Sequence, residues 1–447
     1  MRVLRMCFFF CNFARILDTM RFKYYYIFVA LAVLVIGCTP EQSPDQPKQT
    51  EWLERSAQFQ DQYALEQLVV LSRHNIRTPM VGKGSVLERV TDSTYVWFNW
   101  QDPASYLTAK GQRLENKMGI FFHEWLTKKG FTARYASDTA SFRFYANAKQ
   151  RCQLTARAFA DAVLPGKNPT VEMHAEFDKM DPVFNPQITK LPAGFAEKAQ
   201  QEIAARMGDL DAGIATQYAL IERVINISHS PAYPDTASFA QFPSSVGFKL
   251  NAEPYMNGGL KMACTVSDAL SLQYYEEPDL LKAAFGKQLT FEDWTQIAHV
   301  KEWYGDALFT APSVAVNVAH PLLQTMLAEL QQPKRVFTFL CGHDSNVGSV
   351  LAALGVAPYD LPETIERTTP IGCKLAIEKF VAKDGTQYAD LWLIYASADQ
   401  LRSESNLSYS RPPVAVRLQL DGLTPNADRL YRLQDLEQRF NEAINAY

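Results

Sequence analysis

Two short apolar runs, Leu68-Val69-Val70-Leu71 and Val336-Phe337-Thr338-Phe339-Leu340, each pass without a break into a loop that carries a histidine. The first leads into Ser72-Arg73-His74-Asn75-Ile76-Arg77-Thr78-Pro79 and the second into Cys341-Gly342-His343-Asp344-Ser345-Asn346. Runs this short and this apolar read as strands buried on both faces. In an open α/β sheet ligands gather beyond the carboxyl ends of strands, so as strands of one sheet these runs would carry both histidines to one place. Further strand-like runs near Phe142, Leu375 and Leu391 alternate with helical stretches, which predicts an α/β protein: a mixed sheet flanked by helices. Asp384-Gly385 reads as the turn of a hairpin between Leu375–Phe380 and Asp390–Tyr395, at the edge of that sheet. Residues 181–305 are mainly helical in pattern (194–207, 214–225, 267–275) and read as an inserted smaller α domain, leaving 58–180 and 306–447 as the α/β domain.

The chemistry of the two loops is specific. Arg73 and Arg77 flank His74; guanidinium forks match the oxygens of a tetrahedral phosphate, and a neutral imidazole beside them can attack phosphorus. In the second loop His343 can donate to a phosphate oxygen and Asp344 is placed to supply a proton. Asp344 or Ser345 is expected to cap a helix over 347–354, adding backbone N–H groups to the site. Arg151, expected in the first turn of an amphipathic helix after the strand Phe142–Tyr145, is a third cation for the same anion. Each element has a plainer meaning alone: a lone Arg on a helix is usually a solvated face, and Gly-His-Asp is a common string. Their conjunction, in order along one chain, is what selects phosphate chemistry.

Composition sets the outer bounds. With 447 residues, 47% of them apolar, and a formal charge of −4, the chain has ample core and no basic field of the kind that drives nucleic-acid binding. Arg21 and Lys23 followed by the apolar run Tyr24–Gly37 match an export signal too short to span a bilayer. Val35-Ile36-Gly37-Cys38 resembles a bacterial lipobox, so residues 1–37 are expected to be cleaved and Cys38 lipidated, with Met20 a better start than Met1. Removing 1–37 takes away five cations and one acid, so 39 basic and 47 acidic residues remain, a net of −8. Residues 38–57, rich in Pro, Gln and charge over 39–49, read as a tether. The expected product is an exported lipoprotein, periplasmic or at the cell surface of a bacterium, touching the membrane through its lipid alone. Cys152, Cys264, Cys341 and Cys373 form no C-x-x-C pair and are expected as buried free thiols. No metal and no cofactor are expected.

The motifs Arg73-His74-x-x-Arg77-x-Pro79 and His343-Asp344 resemble the signatures of the histidine acid phosphatases, a branch of the histidine phosphatase superfamily. Asn75 stands where the family usually has Gly, which is similar to its glucose-1-phosphatase subgroup. Further blocks resemble that subgroup in order and spacing: Gly84 to Glu88, Leu107-Thr108 with Lys110-Gly111, Tyr145 to Arg151, Met180 to Pro186, Leu272 to Glu276 and Thr369 to Gly372. The resemblance implies a phosphoglycerate-mutase-like sheet with an α-helical cap. It also implies His74 as a nucleophile forming phosphohistidine, Arg73, Arg77, Arg151 and His343 as holders of the phosphoryl oxygens, and Asp344 as general acid, protonated at the start, which predicts an acidic optimum. Glu253, before Pro254, lies where the glucose-1-phosphatase-like members narrow the pocket, and a carboxylate there favours monophosphates over inositol polyphosphates. Met80 and Val81 after the first motif, with Lys83 the nearest cation, point the same way. The expected activity is hydrolysis of a small-molecule phosphate monoester, glucose 1-phosphate or a similar sugar phosphate, ahead of phytate. A mutase and a non-catalytic phospho-sugar-binding lipoprotein rank behind.

Overall fold

Alternation along the first long strand, β1 (Tyr63–Arg73), builds both sides of the fold. Leu68 and Val70 enter one hydrophobic cluster and Val69 and Leu71 the other, all four fully buried. Burying a large apolar side chain contributes roughly 1.5–3 kcal/mol, so these residues fix which faces of the sheet are covered. The structure, a computed structural model, describes residues 52–80 and 84–447. The expected export signal, Cys38, most of the expected tether, Val81 and Lys83 lie outside the described residues. Among the described residues no helix is long and apolar enough to cross a membrane.

The remaining strands are β2 (Phe142–Ala146), β3 (Val171–Glu172), β4 (Ser245–Gly247), β5 (Tyr255–Asn257), β6 (Phe337–Gly342), β7 (Lys374–Ala382), β8 (Gln387–Tyr395), β9 (Val414–Arg417) and β10 (Tyr431–Arg432). Eight of the ten strands form one mixed sheet in the order β10-β8-β7-β1-β6-β2-β3, with β9 also on β8; β4 and β5 make a separate two-stranded ribbon. As expected, β1 and β6 belong to one sheet; they are parallel neighbours, in register from Leu68 opposite Phe337 to Arg73 opposite Gly342. On the other side of β6, β2 runs parallel to it. The hairpin β7–β8 forms at Asp384-Gly385 but is not at an edge: β7 pairs with β1, and β8 is flanked by β9 and β10. Local alternation specifies a hairpin; which strands flank it depends on distant segments that no local pattern reveals.

The helices that position the site include α1 (Ala109–Lys128), α2 (Gln150–Val163) and, within the expected insertion, α5 (Gly259–Glu276), preceded by α3 (Phe195–Met207) and α4 (Ala215–Ile225). They are followed by α6 (Phe291–Phe309), which runs through the expected boundary at residue 305, and by α7 (Asp344–Ala353). Phe159 of α2 stacks on Phe339 of β6 with ring centroids 4.1 Å apart, anchoring α2 so that its first turn, with Arg151, lies near the end of β6. The folded body starts earlier than the tether reading placed it. Trp52 and Leu53 are buried, Trp52 edge-on to Trp125 at 5.1 Å, and Arg55 pairs with Glu378 and Asp390. The four cysteines are free thiols; Cys152, Cys341 and Cys373 are buried and Cys264 is partly exposed.

Candidate active site

His74 and His343 leave the carboxyl ends of two adjacent parallel strands, and their rings meet edge to face with centroids 5.4 Å apart. His74 is buried, and its Nδ1–H donates to the carbonyl of Asn75 at 2.9 Å, so the lone pair resides on Nε2. Burial first, then the positive charges of Arg151, His343, Arg77 and Arg73, push this imidazole well below its ordinary pKa. A neutral ring with a free Nε2, surrounded by cations, is what attack on phosphorus requires.

The loop that carries His74 is held from below. The side chain of Asn75 donates to Glu115 Oε2 at 2.9 Å, and Glu115 Oε1 pairs with Lys374 Nζ at 2.8 Å, both of them fully buried. Gly111 of α1 lets that helix approach closely: a Cβ there would lie 2.3 Å from the carbonyl oxygen of Ile76.

The three arginines converge, each differently restrained. Arg73 donates from Nη1 to Glu366 at 2.6 Å and to the carbonyl of Thr369. Arg77 forms a two-pronged pair with Asp268 of α5, at 2.9 and 3.0 Å. Arg151, in the first turn of α2 as expected, reaches only His343 Nδ1, at 3.4 Å, and its buried Nε has no hydrogen-bond partner. Asn147 orients His343. Its Oδ1 accepts from the backbone N–H of Asp181 (3.0 Å), so its Nδ2 donates to His343 Nε2 (2.8 Å) and the imidazole proton is assigned to Nδ1, on the side of Arg151.

Asp344 departs from expectation twice. It is the first residue of α7, not its cap; the cap is His343, whose N–H donates to Asn346 Oδ1 at 2.9 Å, and the helix begins three residues before 347. Its carboxylate pairs with Lys301 of α6 at 2.8 Å and faces Arg73 Nη2 at 3.6 Å. Partial removal from water raises its proton affinity, but Lys301 and then Arg73 outweigh this and hold the carboxyl well below the usual range. These two cations hold Asp344 as a carboxylate, whereas the expected general acid starts protonated. Glu253 is exposed and is not among the residues that line the cavity; surrounding protein raises its pKa while His343 and Arg151 oppose the rise, so its carboxyl lies within their field.

A cavity of about 840 Å³ opens beside these groups, with Arg73, Arg77, Lys301 and Asp344 on its wall; the two imidazoles and Arg151 are buried next to that wall. Sequence reasoning missed Asp268, Lys301 and Glu366. Two of these left a signal. Lys301 falls on the buried stripe of Trp294, Ile297 and Ala298, and Asp268 on that of Ser271, Leu272 and Tyr275, so each is a charge at a core-facing helical position. Glu366 lies in a loop, where no periodicity marks it.

The model of the histidine phosphatase superfamily (branch 2) matches residues 64–391. A glucose-1-phosphatase from Salmonella typhimurium is 35% identical over 393 residues, covering 85% of this chain and 93% of the relative. One from Providencia rettgeri is also 35% identical, over 400 residues, 87% of this chain and 94% of the relative. Among solved structures, a phytase of Hafnia alvei in complex with tartrate has a TM-score of 0.77 at 23% identity, covering 86% of this chain and 97% of that one.

Proposed function

Since the chain belongs to the histidine phosphatase superfamily, branch 2, we propose that it hydrolyses sugar phosphates of the glucose 1-phosphate type through a phosphohistidine at His74. The observation that carries this reading is the state of His74: its Nδ1–H is committed to Asn75, its Nε2 is free, and three guanidinium groups and His343 surround it. Nε2 would bond to phosphorus while the bond to the sugar oxygen breaks and Asp344 passes a proton to that oxygen. Water would then attack the phosphohistidine, giving its proton to Asp344 and releasing inorganic phosphate. Arg73, Arg77, Arg151 and the Nδ1–H of His343 would hold the three oxygens on which charge builds. The long contact between Arg151 and His343 offers two donors to one phosphoryl oxygen.

The charge of the cavity favours a monoester. Apart from Arg73 and Arg77, its wall carries Arg206, Lys261, Lys301 and Arg367 against Asp268, Glu302, Asp306, Asp344 and Glu366. After one phosphate has taken the arginines, the rest of the wall offers no excess of positive charge for a second. The exposed Glu253 carboxylate, within the field of His343 and Arg151, adds to this. The glucose-1-phosphatase relatives support the same choice, whereas the likeness to phytase structures concerns the fold. We place the enzyme outside the cytoplasm, tethered by a lipid on Cys38, on the strength of the signal-like segment alone.

The test is phosphate release from glucose 1-phosphate and inositol hexakisphosphate side by side, by the wild type and Glu253→Lys. Faster release from the sugar phosphate, with the ratio moving toward the inositol phosphate in the variant, supports the reading. A wild-type preference for the inositol phosphate would reject the substrate, and an unchanged ratio would reject the role of Glu253.

A further inference from the structure

Of the cations that face Asp344, Lys301 is the nearest, its Nζ 2.8 Å from Oδ2 against 3.6 Å for Arg73. The groups around this carboxylate come from every side: Lys301 from α6, Asp268 from α5, Arg73 and His74 from the end of β1, Glu366 through Arg73 and Lys301, and Arg151 and Glu253 from farther off. We propose that Lys301 keeps Asp344 a carboxylate in the free enzyme, so that the proton required by the leaving oxygen enters on the phosphate of the monoester itself and is relayed by Asp344. This rests on the phosphatase reading given above.

One ammonium serves three carboxylates, at 2.8 Å from Asp344, 3.7 Å from Asp268 and 3.8 Å from Glu366. An entering phosphate adds a further acceptor for Lys301, and its negative charge raises the affinity of Asp344 for a proton. The step balances without a proton from solvent. The monoanionic ester brings one P–O–H; that proton moves to Asp344, leaving a dianionic phosphate and a carboxylic acid. His74 Nε2 bonds to phosphorus as the ester P–O bond breaks, and Asp344 returns the same proton to the departing sugar oxygen. Lys301 acts through Asp344 and is a positioning residue. It also gives the acidic optimum a source other than a free carboxylic acid: the monoanion is the major form only below the second ionisation of the ester, near pH 6 for phosphate monoesters.

The test is the pH dependence of kcat/KM, which reports the free enzyme and free substrate. It compares glucose 1-phosphate with its 2-deoxy-2-fluoro analogue, whose fluorine lowers the second ionisation of the phosphate, in wild type, Lys301→Arg and Lys301→Met. In the wild type the alkaline limb should move down with the fluorinated ester by the difference between the two ester pKa values, and Lys301→Arg should retain that shift. In Lys301→Met only the longer contact with Arg73 and the nearby His74 still oppose burial, so Asp344 gains affinity for its own proton and the limbs for the two esters should draw together. Coincident limbs in the wild type, or limbs as far apart in Lys301→Met as in the wild type, would overturn the proposal while leaving the phosphatase reading intact. Coincident limbs in the wild type overturn the proposal even where Lys301→Met does not fold. No phosphate release from either ester by the wild type would overturn both.

Discussion

Replacing Asp268 by Asn isolates the electrostatic frame of the pocket. Asp268 binds Arg77 through both oxygens, at 2.9 and 3.0 Å, with the two side chains 13% and 8% exposed. Asparagine keeps the volume but turns one acceptor into an NH2 facing the guanidinium, and leaves a buried positive charge without its counter-charge. Breaking a buried pair in this way costs about 3–5 kcal/mol. The low end, about 3 kcal/mol, is expected here, because Arg77 keeps the carbonyl of Thr78 and Lys301 keeps Asp344 and Glu366. The assay is denaturant unfolding followed by tryptophan fluorescence, with and without inorganic phosphate. Phosphate oxygens replace the lost negative charge at Arg77, so phosphate should stabilise the variant more than the wild type, by about 1 kcal/mol. The pH dependence has a fixed sign. Burial raises the Asp268 carboxyl, but Arg77 and Lys301 prevail and depress it below its usual value. Its contribution is therefore fully present above the unfolded value, about pH 4, and is lost as pH falls through the lower folded value. The gap between wild type and variant should hold from about pH 4 to 7 and close below that. A gap under about 1 kcal/mol at pH 7, or equal stabilisation of both proteins by phosphate, would refute the reasoning.

Two other substitutions address the scaffold of the two histidines. In Gly342→Ala the new methyl would lie 2.4 Å from Asn346 Oδ1 and 2.9 Å from the Phe184 ring; the bond from His343 N–H to Asn346 must then give way. A stability loss of about 1–3 kcal/mol and a fall in kcat exceeding it in proportion are expected from melts and initial rates. Lys374→Met strands the buried Glu115 and should cost about 3–5 kcal/mol, whereas adding Glu115→Leu should recover most of that stability. The double variant should remain slow, because Asn75 has still lost its partner; full recovery of kcat would show that Glu115 does not position the His74 loop.

What the sequence discloses follows from how far each feature depends on its own neighbourhood. Strands β1 and β6 are legible because strands buried on both faces are continuous apolar runs, and the residues that follow them are then tied to one end of the sheet. His74, Arg73, Arg77, Arg151, His343 and Asp344 are brought together for that reason. The burial of Trp52 escaped notice because its partners Phe121, Trp125 and Trp392 come from distant segments. The ionised state of Asp344 is invisible for the same reason: it depends on Lys301, contributed by a helix of the expected insertion. The position of the hairpin β7–β8 within the sheet is a property of pairing between remote strands. Asp268 and Lys301 were recoverable in principle, as charges on apolar helical stripes, but a stripe alone does not say which cavity it faces.

The central claim is that His74 carries the phosphoryl group. Brief reaction with glucose 1-phosphate labelled at phosphorus, quenching in alkali to preserve the acid-labile phosphorus–nitrogen bond, and mapping of the labelled peptide test it directly. The account predicts stoichiometric, base-stable and acid-labile label on His74 Nε2, absent from His74→Ala. Turnover without labelled enzyme, or label on any other residue, would contradict it.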